Sequence, residues 1–180
     1  DQLAEMITAC GNHLETGFVG TPYLLHVLSE YGHLKLAYTL LLREKYPSWL
    51  YPVTKGATTI WEHWDGIMED GNFWSSDMNS YNHYAYGSVA DWVYMVAAGI
   101  NTVENAPGYE KILIAPHPDI RLDWLKAVLE TRHGKVTSEW KKEENFWRYE
   151  ITTPVDTAIV IDGKNYQVKA GSYCFYSEQK

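Results

Sequence analysis

The sequence predicts an α+β fold in two parts, helices followed by an antiparallel β-sandwich. Apolar residues recur at helical spacing through about the first hundred residues, whereas from about Lys111 they alternate with a period of two. Between these regions, from about Pro47 to Tyr81, a long stretch rich in Trp and Tyr follows neither period. Loops of this length are uncommon in compact domains and are usually functional or disordered. The many large aromatic side chains argue against disorder here.

Three helices are expected before the aromatic stretch. The second, in "TPYLLHVLSEYG", begins with Thr21 as N-cap and Pro22 in the first turn, and Gly32 ends it. The short link at Gly32 predicts a helical hairpin with the third helix, which Pro47 stops after about Lys45. The predicted apolar faces are Leu3, Met6, Ile7 and Cys10; Leu24, Val27, Leu28 and Tyr31; and Leu34, Ala37, Tyr38 and Leu41.

A further helix is expected within "NHYAYGSVADWVYMVAAGI", and the segment "NTVENAPGYE" marks the change to the β-part. Turn signals such as His133-Gly134 and Asp162-Gly163 separate short strand candidates, which is typical of a sandwich. The six candidates are "DWLKAVLET", "KVTSEW", "NFWRYEIT", "TAIVI", "YQVKA" and "SYCFYS".

Composition excludes several classes of protein. The formal net charge of -8 repels phosphate backbones, so nucleic acid is not an expected partner. The sequence has no run of about 20 apolar residues, so no membrane helix is expected. Cys10 and Cys174 lie in different regions and are expected to be buried free thiols. The chain starts without Met and already in helical periodicity, which suggests a piece of a longer protein.

Aromatic side chains are abundant, with eight Trp and fourteen Tyr among 180 residues. They fill cores, and they also line sites for sugars, because their flat faces cover the apolar faces of pyranose rings. In "TTIWEHWDG", Trp61 and Trp64 flank Glu62. Partial desolvation of a carboxylate disfavours its charged form, which suits acid–base chemistry near neutral pH. A solvated or ion-paired glutamate is the alternative for Glu62.

His83, in "NSYNHYAYG", is expected at the first turn of the following helix. The positive potential there favours a neutral imidazole, which donates one hydrogen bond and accepts another, as a sugar hydroxyl requires. A histidine packed against backbone is the alternative.

No metal or cofactor is expected. The acidic residues Asp65, Glu69, Asp70 and Asp77 do not have the spacing of a calcium-binding EF-hand. His63 and His83 lack the spacing of a helical zinc motif. The sequence also has no motif for a phosphate loop, a dinucleotide site or a serine nucleophile.

Several linked segments resemble bacterial α-L-rhamnosidases of glycoside hydrolase family 78. These are "TGFVGTPYLL", "YPSWLYPVTKGATTIWEHWDG", "MNSYNHYAYGSVADWVY", and "IAPHP" leading into "WLKAVLETRHGKVTSEWK". They follow the family's order and together cover nearly the whole chain.

The resemblance implies the last part of an (α/α)6 catalytic toroid in residues 1–104 and a C-terminal β-sandwich domain in residues 105–180. It implies removal of terminal α-L-rhamnose with inversion, with Glu62 as general base and His83 in contact with the sugar. Trp61, Trp64 and Asp65 would belong to the pocket wall or its surroundings. In this family the general acid lies upstream, so these residues alone are not expected to be a competent enzyme. The family's usual arginine after the glutamate is His63 here.

The expected partners are a rhamnose-containing glycoside or polysaccharide and an upstream part of the same chain. A non-catalytic carbohydrate-binding fragment, a structural scaffold and a toroidal glycosidase for another sugar are the alternatives. The sequence does not indicate the compartment.

Overall fold

The computed structural model describes residues 1–77 and 79–179 and divides into two compact units, 1–90 and 91–180. Met78, at the start of one of the rhamnosidase-like segments, lies outside the described residues. The domain boundary at residue 104 stays a prediction.

The first unit contains the expected helices, α1 (Gln2–Ala9), α2 (Thr21–Glu30) and α3 (Leu34–Leu41), and a short α4 (Leu50–Thr54). A left-handed turn at Gly32, with a φ of 86°, joins α2 to α3 as expected. Thr21 is the first helical residue, after an N-cap at Gly20, rather than the cap itself.

The buried faces of the hairpin differ in part from the predicted ones. Val27 on α2 and Tyr31 at its C-cap are exposed, although both were expected to be buried, whereas Leu25 is buried. The α3 helix ends at Leu41, before the expected Lys45. The shared core of the hairpin consists of Leu24, Leu25 and Leu28 with Ala37, Tyr38 and Leu40.

Apart from α4, the aromatic stretch is irregular at its described residues, as expected, and Ile67 and Phe73 form an antiparallel bridge within it. After it the predicted helix forms in three parts. A 3₁₀-helix (Ala85–Ser88) continues as α5 (Val89–Trp92) and then as a π-helical turn (Val93–Ala97).

Among residues 91–179 the structure contains eight strands: β1 (Ile100–Thr102), β2 (Ile112–Ile114), β3 (Trp124–Thr131), β4 (Gly134–Lys142), β5 (Phe146–Thr153), β6 (Thr157–Ile161), β7 (Lys164–Val168) and β8 (Gly171–Glu178). The six predicted strands are confirmed as β3 to β8. The short β1 and β2 were not expected from the sequence.

Within these residues the strands form two four-stranded sheets, ordered β1-β2-β6-β7 and β3-β4-β5-β8. All adjacent strands run antiparallel except β2 and β6. A parallel pair requires a long crossover, which β3 to β5 supply here. The inner faces share one apolar core, with Ile112 and Ile159 from one sheet and Trp140 and Ile151 from the other. This packing confirms the predicted sandwich.

Gly99 lies where the π-helical turn meets β1. A Cβ at this position would lie 2.1 Å from the carbonyl carbon of Ala115, and the φ is 76°. Only glycine permits this close approach of two backbone segments.

Cys10 and Cys174 are free, as expected, but both are exposed rather than buried. Cys10 follows the end of α1, and Cys174 alternates outward along β8. Among the described residues, every helix is too short or too polar to span a bilayer.

The sandwich core predicts that two tryptophans of neighbouring strands contribute very differently to the free energy of unfolding. Trp140 is fully buried, and its indole N–H donates to the carbonyl of Ala97 at 2.9 Å. Trp140→Ala should lower the free energy of unfolding by about 3–5 kcal/mol because it leaves a cavity and an unpaired carbonyl. Trp124 is 62% exposed, so Trp124→Ala should cost roughly 0.5 kcal/mol or less. Urea unfolding measures both, and equal losses would contradict this core.

His117 predicts a pH dependence of stability. Neighbouring residues partly desolvate its imidazole, although the residue keeps an exposed surface, and this lowers its pKa below the ordinary 6.5. The folded chain therefore binds this proton more weakly than the unfolded chain. Stability should therefore be complete above about pH 6.5 and decrease as the pH falls below it. Between pH 7.5 and 5.5, His117→Gln should lose less unfolding free energy than the wild type. An equal loss of unfolding free energy in both proteins would show that His117 is not the group responsible.

Candidate active site

Two segments of the aromatic stretch lie side by side and bring the predicted site residues together. The N–H of Glu62 donates to the carbonyl of Ser80 at 2.9 Å, and the N–H of Ser80 donates to Oε2 of Glu62 at 2.9 Å. Two residues before Glu62, the carbonyl of Ile60 accepts from the N–H of His83 at 2.8 Å. These bonds place the Glu62 and His83 segments next to each other and fix one oxygen of a half-buried carboxylate.

The hydrogen bonds of His83 define its tautomer. Its Nδ1 accepts from the N–H of Ala85 at 3.3 Å, so the ring proton of a neutral imidazole lies on Nε2. His83 lies just before the 3₁₀-helix, close to where the sequence predicts it. The ring of Phe18 stacks on it, with centroids 4.8 Å apart and planes 13° apart.

Trp64 is held by other rings of the first unit. It stacks on Tyr86 with centroids 3.6 Å apart, and Trp49 meets it edge-on at 5.4 Å. The indole N–H of Trp49 in turn donates to the carbonyl of Tyr86 at 2.9 Å. Burial raises the pKa of the Tyr86 hydroxyl, so it is uncharged at neutral pH. The buried indole nitrogen of Trp64 has no hydrogen-bond partner among residues 1–77 and 79–179.

Trp61 faces a different environment from Trp64. It is only 5% exposed and packs edge-on against Tyr81, with centroids 5.4 Å apart. Gly66 lies against the Trp61 ring, and its carbonyl accepts from the Tyr81 hydroxyl at 2.8 Å and from Asn79 Nδ2 at 2.9 Å. The Trp61 ring therefore has a packing role inside the loop.

Asp65 acts electrostatically on the phenols of Tyr46 and Tyr51. Burial raises the pKa of Tyr46 and of Tyr51. The negative charge of Asp65 raises the pKa of Tyr46 further, and the charges of Glu69 and then Asp65 raise that of Tyr51 further. Both hydroxyls therefore stay protonated, and that of Tyr51 donates to the carbonyl of Ile67 at 2.9 Å.

The remaining acidic residues do not gather into a cation site. Both the backbone and side-chain N–H groups of Asn72 donate to Asp70 at 2.9 Å, which lowers the pKa of this carboxyl. Asp70 thus closes a turn. No group of three potential metal ligands occurs among the described residues. His63 stacks on Trp74 with centroids 3.8 Å apart.

Two cavities border the Trp64–Tyr86 pair. The larger, of about 530 Å³, is lined by Trp64 and Tyr86 with residues 13–17, Tyr46 and Pro47. The smaller, of about 40 Å³, lies beside Trp61 and Trp64 and is also lined by Trp49, Ile60, His63 and Tyr86. The smaller cavity is lined by residues on both sides of Glu62 in the chain, whereas Glu62 and His83 themselves line neither of the two.

The sequence prediction missed Phe18, Trp49 and Tyr86 as neighbours of the site. All three lie inside the segments that carry the family resemblance, which is the signal that could have identified them. Their pairing joins distant parts of the chain, and no local periodicity reveals it.

Comparison with known proteins agrees with this arrangement of a helical unit and a β-sandwich. Residues 1–97 match the bacterial α-L-rhamnosidase 6 hairpin glycosidase domain, which defines the class of the helical part. Residues 99–171 match the bacterial α-L-rhamnosidase C-terminal domain. The chain belongs to the bacterial α-L-rhamnosidase family.

Individual relatives support the same assignment. An α-L-rhamnosidase of Streptomyces avermitilis and one of Formosa agariphila are each 43% identical over 161 residues, which is 89% of this chain. The chain spans about a sixth of these relatives, 15% and 17% of their lengths.

Solved structures agree at the level of the fold. A crystal structure of the S. avermitilis α-L-rhamnosidase complexed with L-rhamnose matches 97% of this chain with a TM-score of 0.89 and 35% identity. The α-L-rhamnosidase of Aspergillus terreus matches 96% of it with a TM-score of 0.89 and 30% identity. The chain covers 19% and 20% of these two structures.

The packing around Gly66 predicts that a larger side chain at this position destabilises the fold. A Cβ there would lie 3.1 Å from the Trp61 ring and 3.2 Å from the Tyr81 ring. Gly66→Ala should therefore lower the free energy of unfolding by about 1–3 kcal/mol through overpacking. Gly17 has open space where a Cβ would be, so Gly17→Ala serves as the matched control with a much smaller loss. Urea unfolding followed by tryptophan fluorescence compares them. Tolerance of both substitutions would contradict the described packing.

Proposed function

We propose that this chain provides the water-activating side of the active site of an inverting α-L-rhamnosidase, with Glu62 as general base. The observation that carries the proposal is the pair of hydrogen bonds between Glu62 and Ser80. They fix the carboxylate beside the His83 segment. The relatives named α-L-rhamnosidase, and the one crystallised with L-rhamnose, support the choice of sugar.

Inversion requires two carboxyl groups, roughly 6.5–9.5 Å apart, on opposite sides of the scissile bond. Glu62 removes a proton from a water molecule, and the water oxygen attacks the anomeric carbon of the rhamnoside. The bond from that carbon to the leaving oxygen breaks on the opposite face. A protonated carboxyl group supplied by an upstream part of the enzyme donates a proton to the leaving oxygen. In this proposal the chain contributes the base and not the acid.

His83 and the aromatic rings bind and orient the sugar in this account. With Nδ1 occupied by the Ala85 N–H, the Nε2–H of His83 is the donor to a rhamnose hydroxyl. Trp64 forms part of the wall, and Asp65 supports it beside the protonated Tyr46 and Tyr51. Trp61, buried against Tyr81, contributes by holding the backbone of the Glu62 segment.

The proposal assigns the two parts of the chain to two domains. Residues 1–104 belong to the end of the catalytic toroid, and residues 105–180 form the C-terminal β-sandwich domain. The complete enzyme, including the upstream part, is therefore the protein to assay. The 180-residue chain alone should hydrolyse no rhamnoside, because acid and base act as a unit.

Substitution of Glu62 tests the proposal in the complete enzyme. Glu62→Gln keeps the shape and the acceptor for Ser80 but removes the base, so kcat on p-nitrophenyl α-L-rhamnoside should fall by about 10²–10⁴-fold. Glu69→Gln, at an exposed carboxylate of the same loop, is the matched control and should keep near wild-type activity.

Each alternative corresponds to a different result. A folded wild type that binds rhamnose without hydrolysing it would indicate a carbohydrate-binding protein, and one that hydrolyses another glycoside would change the substrate. Full activity of Glu62→Gln would exclude Glu62 as the base. Proton NMR of the first product distinguishes inversion from retention, and α-rhamnose as that product would refute inversion.

A further inference from the structure

Phe18 makes a ring contact with the histidine that the proposed function assigns to the sugar. The two rings stack with centroids 4.8 Å apart and planes 13° apart. Phe18 comes from the turn before α2, whereas His83 follows the aromatic stretch, so the contact joins distant segments. The phenyl ring is 42% exposed, which leaves part of it open beside the imidazole.

Hydrogen bonds made by Thr21 hold the turn that contains Phe18. The hydroxyl of Thr21 is buried and donates to the carbonyl of Gly17 at 2.8 Å, and the backbone N–H of Thr21 donates to the same carbonyl at 3.0 Å. The Thr16 and Thr21 hydroxyls also lie 2.9 Å apart. This side-chain and backbone anchoring holds the backbone on both sides of Phe18.

The Phe18 ring is also held by a buried neighbour. It meets Tyr86 edge-on, with centroids 5.1 Å apart and planes 61° apart. Tyr86 is itself buried and stacked on Trp64. A ring supported in this way can restrain the ring that it touches.

The imidazole of His83 needs such a restraint. Its hydrogen bond from the Ala85 N–H, at 3.3 Å, selects the tautomer but is a single long bond. The torsion that turns an imidazole about its Cβ–Cγ bond has broad minima, so one bond leaves the ring plane loosely defined. A donor that is misplaced by about 1 Å loses much of its effect on a bound substrate.

Tyr84 is also nearly parallel to the imidazole, with centroids 5.4 Å apart and planes 8° apart. It differs from Phe18 in being 89% exposed and next to His83 in the chain. It therefore moves with the histidine and does not hold it.

We infer that Phe18 is a positioning residue, which fixes the imidazole plane of His83 so that its Nε2–H points at the sugar. The inference rests on the proposed function, because it assigns His83 to the substrate. Phe18 acts through His83 and takes part in no bond that forms or breaks.

A double-mutant cycle in the complete enzyme tests this role. Phe18→Leu keeps an apolar side chain but removes the ring, and it should lower kcat/KM on p-nitrophenyl α-L-rhamnoside by about tenfold. In the His83→Ala background the same change should cost less than about twofold, because the ring has nothing left to position. The Tm of Phe18→Leu should stay near that of the wild type, since the side chain is partly exposed.

Two further variants separate positioning from general disturbance. Phe18→Tyr keeps the stacking ring and should retain kcat/KM within about twofold of the wild type. Tyr23→Leu removes an exposed aromatic ring from α2 and should also stay within about twofold.

The possible outcomes are distinct. Equal costs of Phe18→Leu in the two backgrounds, or no rescue by Phe18→Tyr, would overturn the inference and leave the proposed function intact. A folded wild type without rhamnosidase activity would overturn the proposed function and this inference with it.

Discussion

The candidate site depends on the backbone and side-chain hydrogen bonds that pair residues 59–62 with residues 80–83. The two hydrogen bonds between Glu62 and Ser80 are reciprocal, since each residue donates through its N–H and accepts through an oxygen. Thr59 extends the pairing through its hydroxyl, which donates to the carbonyl of Tyr81. Without this pairing the two segments would be separate parts of a long loop, and a loop alone does not hold a carboxylate in a fixed place.

Aromatic packing gives this irregular region the order that a helix or sheet would otherwise supply. Trp61 and Tyr81 pack against each other and against Gly66, and Trp64 stacks on Tyr86. Large rings bury much area with few rotatable bonds, so they order a loop at low entropic cost. The many aromatic residues thus stabilise the loop itself, in addition to any contact that they make with a bound sugar.

Much of the fold could be predicted from the sequence, because amphipathic periodicity is a local signal. Period-two alternation identified β5 (Phe146–Thr153), and Gly32 identified the end of α2. The short β1 and β2 were missed because three residues cannot display a period. The parallel pairing of β2 with β6 depends on contacts across three intervening strands, which no local pattern contains. The stacking of Phe18 on His83 was missed for the same reason.

Chemical rescue tests most directly whether Glu62 activates the attacking water. Azide is an anionic nucleophile that needs no base, so it should restore turnover to Glu62→Ala in the complete enzyme acting on p-nitrophenyl α-L-rhamnoside. If Glu62 is the base, the expected product is a β-L-rhamnosyl azide, with the azide on the face opposite the leaving group. An α-rhamnosyl azide, or a folded variant that azide does not rescue, would contradict this role of Glu62.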